Sequence, residues 1–244
     1  IYKLKHVYPI ITLIIILECK YMNIIVCGDS HTRVFSYCNQ KQNNFIFNVC
    51  EVGGATAQGA VNPNSKTNAL GIFSNKLKDS QKADKVLIML GEVDCGFVIW
   101  VRSKRYNISV DDQLYISIHN LFHFTETIVK KYGYKSDDII IAGSILPTIK
   151  DNTNKKYLNG ARKEVDVDQY TRTQKTLEYN NMLKVRCNEY GYHYIDITDN
   201  IIGEDGLIHD KYLNENHSDH HVSNLNTYQF WINTLERIGI TYKP

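Results

Sequence analysis

The sequence predicts an α/β fold in which a five-stranded parallel sheet is covered by helices on both faces. Two observations carry this. Five short apolar runs stand apart along the chain, and segments with helical spacing separate them. Strands buried on both faces read this way. The composition is that of a folded body: 244 residues, 43% hydrophobic and 22% charged. A chain of that size and make-up can bury a sizeable core as one domain.

The elements follow in order. Asn23–Cys27 is an apolar strand ended by Gly28-Asp29, and Ser30–Cys38 forms a short helix. Asn44–Cys50 is a second strand, running to Gly53-Gly54. Leu70, Phe73 and Leu77 give helical spacing over Thr67–Gln81. Lys85–Leu90 is a third strand, closed by Gly91. Leu114, Ile118, Leu121, Ile128 and Val129 mark a long amphipathic helix over Asp111–Tyr132, with Asp111 or Asp112 as its cap. Asp138–Ala142 is a fourth strand. The segment 147–167 is polar and unpatterned, a long loop. Asp168–Tyr190 is a helix, Tyr192–Ile197 a fifth strand and Ser223–Ile238 a closing helix.

Other classes are excluded by counting. Lys plus Arg is 28 and Asp plus Glu is 26, so the net charge of +2 gives no electrostatic footprint for nucleic acid. Four Pro and fourteen Gly exclude collagen-like and linker-dominated chains. The six cysteines form no Cys-x-x-Cys pair and read as reduced structural thiols of a cytoplasmic protein. Near the start, Lys3, Lys5 and His6 precede the apolar run Val7–Leu17. That run is shorter than the about 20 residues of a spanning helix, so no stable membrane span is expected. Glu18, Cys19 and Lys20 interrupt it without a small-x-small cleavage site, and Met22 stands directly before the first strand. Residues 1–21 are therefore set apart as a leader or upstream segment, and 22–244 are read as the domain. If 1–21 act as a signal segment, the location becomes extracellular.

Unusual polar residues follow most strands: Gly28-Asp29-Ser30-His31, Gly53-Gly54-Ala55-Thr56, Gly91-Glu92-Val93-Asp94 and Pro147-Thr148. In an open parallel sheet, ligands bind beyond the carboxyl ends of the strands, so these motifs converge on one edge. Ser30 opens a helix, where its N–H points outward and negative charge is favoured. Gly53 or Gly54 can bring a second N–H close, and two such donors make an oxyanion hole. A serine hydroxyl needs a base. Of nine histidines, His119, His123 and His193 sit in patterned segments and read as packed or surface residues. The exception is His217-Ser218-Asp219-His220-His221 just before the last helix. There a histidine can act as base and Asp219 can orient it, in the logic of a Ser-His-Asp triad.

Together these motifs resemble the SGNH/GDSL hydrolases. Gly28-Asp29-Ser30 matches the first block, Gly53 or Gly54 the second, Gly91-Glu92-Val93-Asp94 the third and the Asp219-His220-His221 cluster the last. The Gly91–Cys95 form resembles a subgroup of such hydrolase-like proteins. The resemblance implies a flavodoxin-like α/β/α fold and metal-free hydrolysis of esters, often acetyl groups on carbohydrate, with no cofactor. It implies Ser30 as nucleophile, His221 as base, Asp219 as orienter, and the backbone of Ser30, Gly53 and Gly54 as oxyanion donors. His221, rather than His220, is followed by an apolar residue, as the family's histidine is. Two departures stand out. Val93 replaces the family's oxyanion Asn, and Asp219 precedes His221 by two residues rather than three. Asp29, His31, Glu92, Asp94 and His220 are secondary site candidates, Glu92 and Asp94 being equally readable as turn caps. Arg33 and Arg102 are further candidates. Lys150, Lys155, Lys156, Arg162 and Lys163 either contact an anionic substrate or form a solvated loop.

Two other readings compete. Asp29-x-His31 also resembles the opening of metallophosphoesterases, with His217, Asp219, His220 and His221 as metal ligands. That family's Gly-Asn-His-Asp/Glu motif is missing from the chain. Val93 favours instead a non-catalytic carbohydrate-binding or scaffold protein that kept the fold without the activity.

Overall fold

The computed structural model describes residues 21–80, 83–158, 160–216 and 219–241. The leader or upstream segment, Tyr21 apart, lies outside the described residues, as do His217 and Ser218.

Five strands form one parallel sheet: β1 (Met22–Gly28), β2 (Phe45–Glu51), β3 (Lys85–Met89), β4 (Ile139–Ala142) and β5 (His193–Ile195). Their spatial order is β2-β1-β3-β4-β5, the doubly wound order whose switch point lies between β1 and β3. The register pairs Gly28 with Glu51 on one side and with Met89 on the other. The first three strands therefore end level, and the turns that follow them share one edge.

Alternation along each strand explains the two layers. Ile25 and Cys27 of β1, with Val86, Ile88, Ile139 and Ile141, face α2 (Ala69–Asp79), α3 (Ile99–Tyr106), α4 (Val110–Phe124) and α5 (Gln169–Tyr190). Ile24 and Val26, with Leu87, Met89, Ile140 and Ala142, face α1 (Arg33–Cys38), α6 (Thr198–Ile201) and α7 (Asn224–Arg237). Adjacent residues of a strand point to opposite faces. An unbroken apolar run is therefore what a sheet covered on both sides requires. Among the described residues no helix is long and apolar enough to cross a membrane. The cysteines at 27, 38, 50, 95 and 187 are all free thiols.

Three expectations need correction. The chain from Asp94 to Tyr106 is helical, a wide π turn at Asp94–Val98 running into α3, where the residue pattern announces no element. The cap of α4 is Ser109, whose hydroxyl accepts from the Asp112 N–H at 3.0 Å, so neither Asp111 nor Asp112 is the cap. The helix expected over Asp111–Tyr132 stays helical but changes pitch, α4 giving way to a π turn at Thr125–Val129 and a 3-10 turn at Lys130–Tyr132.

Candidate active site

Ser30 begins a single 3-10 turn that leaves the end of β1. Asp29 caps that turn, its Oδ1 accepting the His31 N–H at 2.9 Å. The Ser30 N–H therefore lies at the turn's N-terminal end, where backbone donors lack partners within the turn. The loop before α7 brings the second half of the site. There Asp219 Oδ1 accepts the backbone N–H of His221 at 3.0 Å and faces its ring Nδ1 at 2.5 Å. The other ring nitrogen, Nε2, lies 2.7 Å from Ser30 Oγ across 191 positions of sequence. The two-residue offset between Asp219 and His221 is thus short enough for one carboxylate oxygen to hold both backbone and ring. Asn214 Nδ2 donates to the other oxygen, Asp219 Oδ2, at 3.2 Å.

Protonation follows from these contacts. Burial alone would raise the Asp219 carboxyl, but the backbone N–H and ring of His221 hold it below its ordinary value. His221 is itself lowered, by burial first and by the neighbouring charge on His31 second, against the pull of Asp219. A neutral ring with its proton on Nδ1 can donate to Asp219 and accept the Ser30 hydroxyl proton at Nε2. His220 is not placed to act as that base. Its ring packs against His221 at 4.0 Å between centroids, and burial lowers it to about 4.

The remaining candidates separate. Asp94 is wholly buried and binds the loop after β2. Its oxygens accept from Ala57 N at 2.7 Å, Gln58 N at 3.2 Å and Ser117 Oγ at 3.0 Å. It pins the chain that follows Gly53-Gly54, which no local turn signal could have indicated. Burial outweighs those three bonds and pushes the carboxyl up to about 6. Its folded value therefore exceeds its unfolded one, so its contribution to stability is fully present below the unfolded value and is lost as the pH rises through about 6. Asp94→Asn is expected to cost about 1–3 kcal/mol in urea unfolding, because an amide offers one acceptor oxygen where two N–H groups converge. An unchanged midpoint would remove Asp94 from that role.

Glu92 behaves differently. Its carboxylate approaches His31 Nδ1 at 3.8 Å and accepts from Arg162 Nη2 at 3.3 Å. Arg162 also lies over the Phe97 ring, 4.2 Å from its centroid. Neither Glu92 nor Asp94 is a turn cap. Several basic residues of the 147–167 loop are engaged within the protein: Lys150 pairs with Asp210 and Lys155 approaches Asp166. Arg33 lines the space at Ser30 but is held bidentate by Glu51, and Arg102 bonds the Gln58 side chain. Gly54 has a φ of +72°, a conformation that turns the chain sharply after β2 and that Gly adopts at no steric cost. The Val93 side chain is buried and apolar and cannot donate to an anion.

Sequence reasoning missed Asn214, which carries no signal beyond its nearness to Asp219. It also missed the link from Arg162 through Glu92 to His31, which joins three separate loops.

His31, His220 and His221 each bring one ring nitrogen within 4.8 Å of the others. Two of these rings are already engaged at both nitrogens: His31 Nδ1 by Asp29 at 2.9 Å and Nε2 by the His220 carbonyl at 3.2 Å, and His221 by Asp219 and Ser30. A cation there would have to break these bonds, so the cluster fits a proton-transfer array better than a metal centre.

The Ser30 cavity measures about 120 Å³ and shares Asn214 and Asp219 with a wider cleft of about 630 Å³. That cleft is lined by polar side chains, among them Thr148, Asn152, Asn154 and Tyr157.

No protein-family model matches the chain, and no curated protein matches it. Solved structures do. An aryl esterase of M. smegmatis aligns with a TM-score of 0.56 at 14% identity, over 90% of this chain and 99% of the other. A carbohydrate acetylesterase family member from Sinorhizobium meliloti gives 0.54 at 12%, over 88% and 96%. A GDSL-like lipase from Bacteroides thetaiotaomicron gives 0.53 at 12%, over 89% and 87%. At such identities the likeness is one of fold. The α/β/α architecture implied by the motifs is the architecture these hydrolases share with this chain.

Proposed function

We propose that the protein is a serine esterase that removes a small acyl group from a hydroxyl-bearing molecule. One observation carries this reading: the continuous array Ser30 Oγ, His221 Nε2, His221 Nδ1, Asp219 Oδ1, with contacts of 2.7 and 2.5 Å. Ser30 attacks the ester carbonyl while His221 takes its proton, and Asp219 stabilises the imidazolium that results. The N–H groups of Ser30 and Gly54, with Gly53 beside them, receive the charge that develops on the carbonyl oxygen. His221 then protonates the leaving alcohol, and water, activated by the same ring, releases the acid and restores Ser30.

The small cavity at Ser30 suits a short acyl group such as acetyl. The wider cleft next to it, bordered by the hydroxyl and amide side chains of Thr148, Asn152, Asn154 and Tyr157, suits an alcohol with many hydroxyls, which supports a carbohydrate ester. The carbohydrate acetylesterase family member among the structural neighbours fits the same choice.

A fluorophosphonate probe tests the reading. It is expected to label one site, mapped to the peptide carrying Ser30, and Ser30→Ala should abolish both label and turnover of p-nitrophenyl acetate. An unlabelled but folded protein that still binds glycans would instead be a binding module that kept the fold.

A further inference from the structure

The site contains the same motif twice, with opposite outcomes. In Asp29-Ser30-His31 and in Asp219-His220-His221, the aspartate Oδ1 accepts the backbone N–H of the histidine two residues on, at 2.9 and 3.0 Å. The same oxygen faces that histidine's Nδ1, at 2.9 and 2.5 Å. The difference lies at the other ring nitrogen. His221 Nε2 meets a hydroxyl, which can donate to it. His31 Nε2 meets the carbonyl oxygen of His220 at 3.2 Å, which can only accept. A ring placed between two acceptors satisfies both only if both nitrogens carry protons. A neutral ring would leave a lone pair against an oxygen in a site where the His31 side chain is 2% exposed.

We propose that His31 is an imidazolium at neutral pH, a positioning residue that keeps His221 unprotonated and places a positive charge beside the nucleophile. The charged groups around it support that arrangement. Asp29 comes from the end of β1 and Glu92 from the turn after β3, the latter tied to Arg162 beyond it. From the last loop come the rings of His220 and His221, 5.5 and 4.8 Å from His31 between centroids, with Asp219 behind them. Burial opposes the charge, but Glu92, Asp29 and the His220 carbonyl overcome it and raise His31 to about 9. An unfolded imidazole loses its proton near about 6.5. The stability this cation contributes is therefore fully present below that value and is lost as the pH rises through about 9. Next to that cation, His221 resists protonation and remains a base at lower pH.

Two measurements test this. Only the kinetic one depends on Ser30 and His221 being an esterase pair. Long-range ¹H–¹⁵N correlation of the ring nitrogens in the unsubstituted protein is expected to show both His31 nitrogens protonated at about pH 7.5, below the raised value, and the His221 ring neutral. A neutral His31 at that pH overturns the proposal, whether or not the protein hydrolyses esters. In the same spectrum, Glu92→Gln removes one carboxylate facing the cation, and the pH at which His31 gives up a proton is expected to fall. For kinetics, the acid limb of kcat/KM on p-nitrophenyl acetate is expected to move up by about 1 pH unit in His31→Gln. A folded His31→Gln variant whose acid limb stays in place would also overturn it. If that variant does not fold, the ring-nitrogen spectrum of the unsubstituted protein decides.

Discussion

His221→Ala is expected to lower kcat/KM for a short p-nitrophenyl ester by about 10⁴-fold, the upper range for loss of a general base. The ring removed is the one whose Nε2 lies 2.7 Å from Ser30 Oγ, and no other base among the described residues takes that place. Labelling of Ser30 by a fluorophosphonate should slow in parallel, because the hydroxyl loses its proton acceptor. His220→Ala supplies the contrast. It keeps the backbone carbonyl that faces His31 and deletes only a ring that packs against His221 and His31 and makes no bond to Ser30. Its loss should be about tenfold or less, on the order of a packing change. Equal losses from the two substitutions would show that the array is not the proton path.

Gly28→Ala is expected to be the most destabilising small substitution in the sheet, by about 3 kcal/mol or more in urea unfolding. A Cβ there would lie 2.1 Å from the Met89 carbonyl oxygen and 2.6 Å from Thr32 Cγ2. The first clash is with the backbone of the neighbouring strand, which is paired to Gly28 in the ladder and cannot retreat without breaking it. At Gly53, by contrast, an added Cβ meets nothing within 4 Å, and Gly53→Ala should stay within about 0.5 kcal/mol of the parent. A Gly28→Ala protein of parental midpoint would mean that β1 and β3 do not approach so closely.

Much of this was legible along the chain. The runs at 23–27, 85–90 and 138–142 announced strands buried on both faces because their apolar residues pack alternately on one helical layer and the other. The helix at Asp94–Tyr106 gave no such sign. Only Ile99 of α3 is fully buried, and the segment ends in Arg, Ser, Lys, Arg and Tyr. Asp94 and Glu92 looked alike in sequence, two acids after a strand. The fold sends one inward to hold a loop and the other across to His31 and Arg162.

The chain on its own could specify local things: strand and helix periods, the turn residues after each strand, and the presence of a hydroxyl, an imidazole and a carboxylate. Periodicity is a property of neighbours in the chain, so it survives without coordinates. Which histidine serves the hydroxyl and which holds a charge was settled by contacts between distant segments. His31 and His221 sit in the same Asp-x-His motif, and they differ in what reaches their second nitrogen across 189 and 191 positions, a carbonyl for one and a hydroxyl for the other.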